Sequence, residues 1–74
     1  MKKNEFLSLM ITHGDTRRTL AKALAISAQT IGDKINGRSD FKQSEIMAII
    51  ERYNLTPGQV DKIFFEDSEP WTDL

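Results

Sequence analysis

Within residues 17–36, RRTLAKALAISAQTIGDKIN, the side chains able to recognise a polar surface crowd together. Gln29 carries a carboxamide that donates and accepts hydrogen bonds at once, Thr30 a hydroxyl and a methyl, Ala28 a bare methyl, and Asp33 two acceptor oxygens. Arg17 and Arg18 add fixed positive charge. Such a set reads polar edges and holds anions. For covalent chemistry the sequence is poorly equipped: there is no cysteine, His13 is the only histidine, and no nucleophile has a plausible base. No glycine-rich phosphate loop is present either. The chain is therefore read as no enzyme, and as needing no metal or other cofactor, since neither a thiolate nor a second imidazole can join His13. His13 itself falls at the end of the first helix, where it suits the dipole.

The frame that must hold these groups is expected to be all-α. Apolar spacing and punctuation place five helices, at about 4–12, 17–24, 28–36, 42–53 and 57–64. Asn4, Thr16, Ser27 and Thr56 are the expected N-caps, Gly14 and Gly37 the stops, and Pro57 fits a first helical position because its missing N–H costs nothing there. The clearest amphipathic stripe is Ile46, Ile49, Ile50 and Tyr53, and the expected core adds Phe6, Leu20, Leu24, Ile31 and Val60. Residues 1–65 form the expected domain, followed by an acidic, non-helical tail at 66–74 that contains Pro70. With 74 residues there is room for one core, and 39% hydrophobic with 28% charged residues is ordinary globular composition.

The lack of cysteine suits a reducing, cytoplasmic setting, and the longest apolar run, residues 46–50, falls far short of the roughly 20 residues that cross a bilayer. Met1-Lys2-Lys3 resembles the start of a leader, but Glu5 and the short apolar stretch after it favour a mature N-terminus. Net charge is -1, which by itself speaks against a generic nucleic-acid binder. Its distribution is uneven. Residues 14–42 hold six basic side chains against Asp15, Asp33 and Asp40, a net +3, while residues 43–74 hold Arg52 and Lys62 against seven acidic ones, a net -5. Contact with phosphate is thus expected from the middle third.

The two helices at about 17–24 and 28–36 are joined by Ala25-Ile26-Ser27, and Leu20, Ala21 and Leu24 face Ile31 across the turn. That leaves the outer face of the second helix convex and free, a shape suited to the roughly 12 Å major groove of B-DNA. The plain alternative is an ordinary helical hairpin in a small bundle. LAKALAISAQTI followed by NG resembles the helix-turn-helix of the Cro and repressor regulators of temperate phages. DFKQSEI and NLTPGQVDKIFF resemble small regulators from phages of Gram-positive hosts. The resemblance covers residues 4–65 and implies a compact, five-helix, lambda-repressor-like fold in a bacterial cytoplasm, binding double-stranded DNA to regulate a phage or prophage switch.

Position by position, the resemblance implies base reading by Ala28, Gln29, Thr30 and Asp33, and phosphate contact by Thr16, Arg17, Ser27, Asn36, Arg38 and Lys42. Two features depart from the pattern. Ala25 stands where the turn usually has glycine, at a cost of about 1 kcal/mol if positive φ is required, and Gly32 lies inside the recognition helix.

After the expected core is filled, aromatic and apolar residues at the C-terminal end remain, and Phe64, Phe65, Trp71 and Leu74 are the candidate partner interface. That surface could serve a homodimer, a hetero-complex with a second regulator, or only the chain's own domain. Two further functions stay open: an antirepressor that captures another regulator, and an antidote whose tail neutralises a toxin.

Overall fold

Helix ends fall largely where cap chemistry puts them in the computed structural model, which describes residues 1–65. Among these residues there are five helices and no strand: α1 (Lys3–Thr12), α2 (Arg17–Ala23), α3 (Ala28–Ile35), α4 (Gln43–Tyr53) and α5 (Pro57–Val60). The fifth runs on into a π-helical turn, Asp61–Phe65. The Thr16, Ser27 and Thr56 hydroxyls each accept the backbone N–H three residues on, and Pro57 opens α5. Gly14 and Gly37 take the left-handed conformation that lets the chain leave α1 and α3.

At the start of α1 a tertiary bond overrides the local cap. The helix begins at Lys3, one residue before the expected cap Asn4, because the Lys2 N–H donates to the Ile63 carbonyl at 2.8 Å while the Lys2 carbonyl accepts from Phe6. α2 ends at Ala23, so four residues, not three, separate it from α3, and Asn36 and Lys42 are flanking rather than helical residues.

Phe6, Leu20, Ile31, Ile35 and Ile49 are the fully buried centre, ringed by Met10, Ala21, Tyr53, Leu55 and Ile63. The first four helices and the π-helical turn thus contribute to one cluster, with α2 and α3 packed through Leu20, Ala21, Ile31 and Ile35. On α4 the buried face differs from the expected stripe. Ile49 and Tyr53 are buried with Glu45, at i, i+4 and i+8, while Ile46 and Ile50 are only partly covered, as are Leu24 and Val60. Turning Glu45 inward rotates Ile46 toward the rim. Among the described residues no helix is long and apolar enough to cross a membrane.

Glu45 points inward because Lys34 meets it. The Lys34 ammonium lies 2.8 Å from Glu45 Oε1 and 2.9 Å from the Asp40 carbonyl, and both charged side chains are buried. The same Oε1 accepts the Lys42 N–H at 2.8 Å, which satisfies an otherwise unpaired donor at the head of α4. One ion pair therefore ties α3, the 36–42 loop and α4 together.

Asp15 makes the second polar tie. Arg52 of α4 holds it with two hydrogen bonds, Nε to Oδ2 at 2.8 Å and a terminal nitrogen to Oδ1 at 2.7 Å. The Thr19 and Tyr53 hydroxyls also donate to the carboxylate, and the His13 ring stacks on Tyr53 with centroids 4.5 Å apart. The Arg52 hydrogen bond, above all, holds the Asp15 carboxyl well below the usual range against the effect of burial. For Glu45, burial pushes upward, but the bonds from Lys34 and the Lys42 N–H outweigh it and the net shift is downward.

These depressed carboxyl values set an acid limit on stability. In the unfolded chain the two groups titrate near 4, so the folded state binds fewer protons as pH falls past that value. Their contribution is full above about pH 5 and is lost progressively below about pH 4. Urea midpoints should accordingly be level from pH 7 to 5 and fall below about pH 4, with a shallower fall in Asp15→Asn. An acid profile identical in wild type and Asp15→Asn would show that Asp15 gains nothing from its partners.

Candidate nucleic-acid interface

α2, the turn at residues 24–27 and α3 form a helix-turn-helix pair. The turn is closed by Ala25 N–H to the Lys22 carbonyl at 3.2 Å and Ile26 N–H to the Ala21 carbonyl at 3.0 Å. Within this turn Ala25 takes φ 59°, the left-handed region, so the condition under which its side chain is costly is met. A Cβ there costs about 1 kcal/mol relative to glycine. The burial of Leu20 and Ile31 on either side outweighs it, at about 1.5–3 kcal/mol for each side chain.

At the head of α3, Ser27 Oγ accepts the Thr30 N–H at 3.0 Å, and the Ser27 and Thr30 hydroxyls lie 2.7 Å apart. The cap thus uses Ser27 and orients Thr30, which is half-buried. Ala28 and Gln29 remain exposed on the first turn, and the Gln29 carboxamide has no hydrogen-bond partner among the described residues. One turn further along α3, Asp33 is half-buried with Arg38 3.7 Å away, so its charge is partly offset. Beyond its own stretch of helix, nothing lies within 4 Å of where a Gly32 Cβ would sit; packing does not account for the glycine.

At the head of α2, the Thr16 hydroxyl accepts the Thr19 N–H at 3.2 Å and the Thr16 N–H donates to Thr19 Oγ1 at 2.8 Å. Thr16 is therefore engaged in its own cap. Arg17 and Arg18 follow, exposed, with no ion pair among the described residues. Because Arg52 clamps Asp15, the backbone two residues before Arg17 is tied to α4.

The heads of α2 and α3 adjoin. An open groove of about 710 Å³ is lined by Leu7, Met10 and Ile11 of α1, by Asp15, Thr16, Arg17 and Arg18, and by Ala28 of α3. Arg17 and Ala28 are thereby brought to one face, with Ser27 and Gln29 beside Ala28 in the chain. Asn36, Arg38 and Lys42 are exposed but follow the other end of α3, whose eight residues rise about 12 Å. Gly37 turns the chain there, and the Arg38 N–H closes on the Asp33 carbonyl at 2.8 Å.

At the C-terminal end, Phe64 packs edge-on against Phe6 and Phe41, with centroids 6.0 and 5.8 Å away, and is partly covered. Phe65 is half-exposed, and Trp71 and Leu74 lie outside the described residues. Conversely, sequence reasoning missed Ile11, which is 76% exposed beside the groove, and Met47 at 60%. It also missed Glu45, although the spacing from Lys42 to Glu45 is that of a capping box. For Asp15 no local signal existed, because Arg52 and Tyr53 lie 37 and 38 residues away.

Fold and site together define an all-α domain built around a helix-turn-helix pair. The chain belongs to the family described as a protein of unknown function, DUF739, whose model matches residues 5–67, from within α1 through the π-helical turn. No curated protein and no solved structure matches it.

Proposed function

We propose that the protein is a sequence-specific DNA-binding regulator of transcription, working in a phage or prophage switch inside a bacterial host, with α3 in the major groove. The observation that carries the reading is the joint face at the two helix heads. There Gln29 is exposed one residue past Ala28, which shares a groove with Arg17 and Arg18, and none of these three polar side chains has a partner among the described residues. Gln29 suits bidentate pairing with adenine, Ala28 and Thr30 suit a thymine methyl, and Asp33 suits a cytosine amino group. Arg17, Asn36, Arg38 and Lys42 flank α3 at both ends and suit the two phosphate backbones.

Binding to promoter DNA, measured across salt concentrations, separates the roles. Gln29→Ala relaxes discrimination at one base pair by about 1–3 kcal/mol, whereas Arg17→Ala weakens all sequences alike and lowers the salt slope by about 1. If neither substitution alters binding to a cognate site, α3 is not the reading helix.

A second reading, an antirepressor that captures another regulator, is supported by the exposed Ile11 beside an apolar groove. Sedimentation alone and with a neighbouring regulator distinguishes a monomer, a homodimer and a hetero-complex.

A further inference from the structure

The groove between α1 and the helix heads combines two features that call for the same kind of ligand. Its floor is apolar, formed by Leu7, Met10, Ile11 and the Ala28 methyl, and Ile11 is largely exposed. On its rim stand Arg17 and Arg18, neither of which has an acidic partner among the described residues. An aromatic or aliphatic anchor flanked by carboxylates would satisfy both.

We propose that residues 66–74 of this chain, EDSEPWTDL, dock in that groove, with Trp71 on the apolar floor and the neighbouring carboxylates against Arg17 and Arg18. The segment carries Glu66, Asp67, Glu69 and Asp73 and no basic residue. Its point of departure packs on α1, the helix that also lines the groove. Lys62 pairs with Glu5 at 3.6 Å, and the Phe65 ring lies 6.4 Å from Phe64, itself 6.0 Å from Phe6, the residue before Leu7. Six residues from Phe65 to Trp71 span up to about 20 Å, and tethering gives an effective concentration on the order of millimolar.

A second, smaller groove of about 250 Å³ beside Phe41 and Phe65 is nearer. Its one basic lining side chain, Lys34, is already bound to Glu45 and to the Asp40 carbonyl, whereas two arginines line the first. Charge therefore selects the first. Docked there, the segment competes with phosphate for Arg17 and Arg18 and weakens DNA binding; this competition, unlike the docking, rests on the DNA-binding reading.

Trp71 is the single tryptophan, so its fluorescence reports this segment alone. Acrylamide quenching is compared in the full chain, in Arg17→Glu/Arg18→Glu and in Ile11→Glu, all changes at exposed positions. Docking shields Trp71 in the wild type independently of protein concentration, and each variant lowers the docked-to-free ratio about fivefold or more. Trp71 equally accessible in all three proteins overturns the proposal, as does shielding that the variants leave intact. Shielding that grows with protein concentration also overturns it, by assigning the groove to a second copy. In a separate arm, Trp71→Ala raises affinity for promoter DNA about fivefold. Unchanged affinity with Trp71 shielded removes the competition. If Trp71 is shielded while no form binds DNA, the docking stands and the DNA-binding reading falls.

Discussion

Glu45→Ala is expected to cost about 3–5 kcal/mol of stability, because it strands the Lys34 ammonium in the interior with one carbonyl for company. The carboxylate also caps α4, so its loss frees the Lys42 N–H as well. Lys34→Ala should cost a similar amount by stranding Glu45. The pair is nevertheless not a large net source of stability: desolvating two charges offsets most of their attraction. A double replacement, Lys34→Met with Glu45→Leu, should therefore recover much of the single-mutant loss. Urea unfolding of the three variants measures this directly. A single-mutant loss below about 1 kcal/mol would mean that water reaches the stranded charge. Because the pair fixes α3 on α4, the double variant also tests whether specificity of the α3 position, rather than stability, is what the charges supply.

Ile49→Ala is expected to cost about 2–5 kcal/mol, the penalty for emptying a fully buried site whose surroundings cannot close in. Ile46→Ala and Ile50→Ala should cost less, because both side chains are only partly covered in the folded state. The ordering is more informative than any single value. Chemical denaturation of all three, with unchanged m-values, would establish it. Equal losses at Ile46 and Ile49 would place the core on the stripe that spacing suggested, and would show that Glu45 does not turn inward.

That ordering marks where local patterning stops. A period of 3.6 identifies α4 and its apolar side, yet Ile46, Ile49, Ile50 and Tyr53 cover more than one buried sector. Which of them reaches the centre depends on Lys34, which lies on another helix and was given no inward role by its type. The same limit explains the C-terminal end. Phe41, which lies in a loop and on no periodic helix face, packs against Phe64, a contact that spacing along a helix does not predict.

Five helices, their caps at Thr16, Ser27 and Thr56, the stops at Gly14 and Gly37, and the exposure of Gln29 were all legible from the chain, because caps and turns are satisfied within three or four residues. The positive φ at Ala25 was raised only as a condition, through the resemblance to a turn that usually holds glycine. Tertiary structure alone decided that α1 starts at Lys3, that Glu45 is buried on Lys34, and that Asp15 is clamped by Arg52 and Tyr53. It also decided that Arg17, Ala28 and Ile11 share one groove. Each of these joins groups from different helices, whose energies depend on distance and burial in three dimensions, and no spacing along a single helix encodes them.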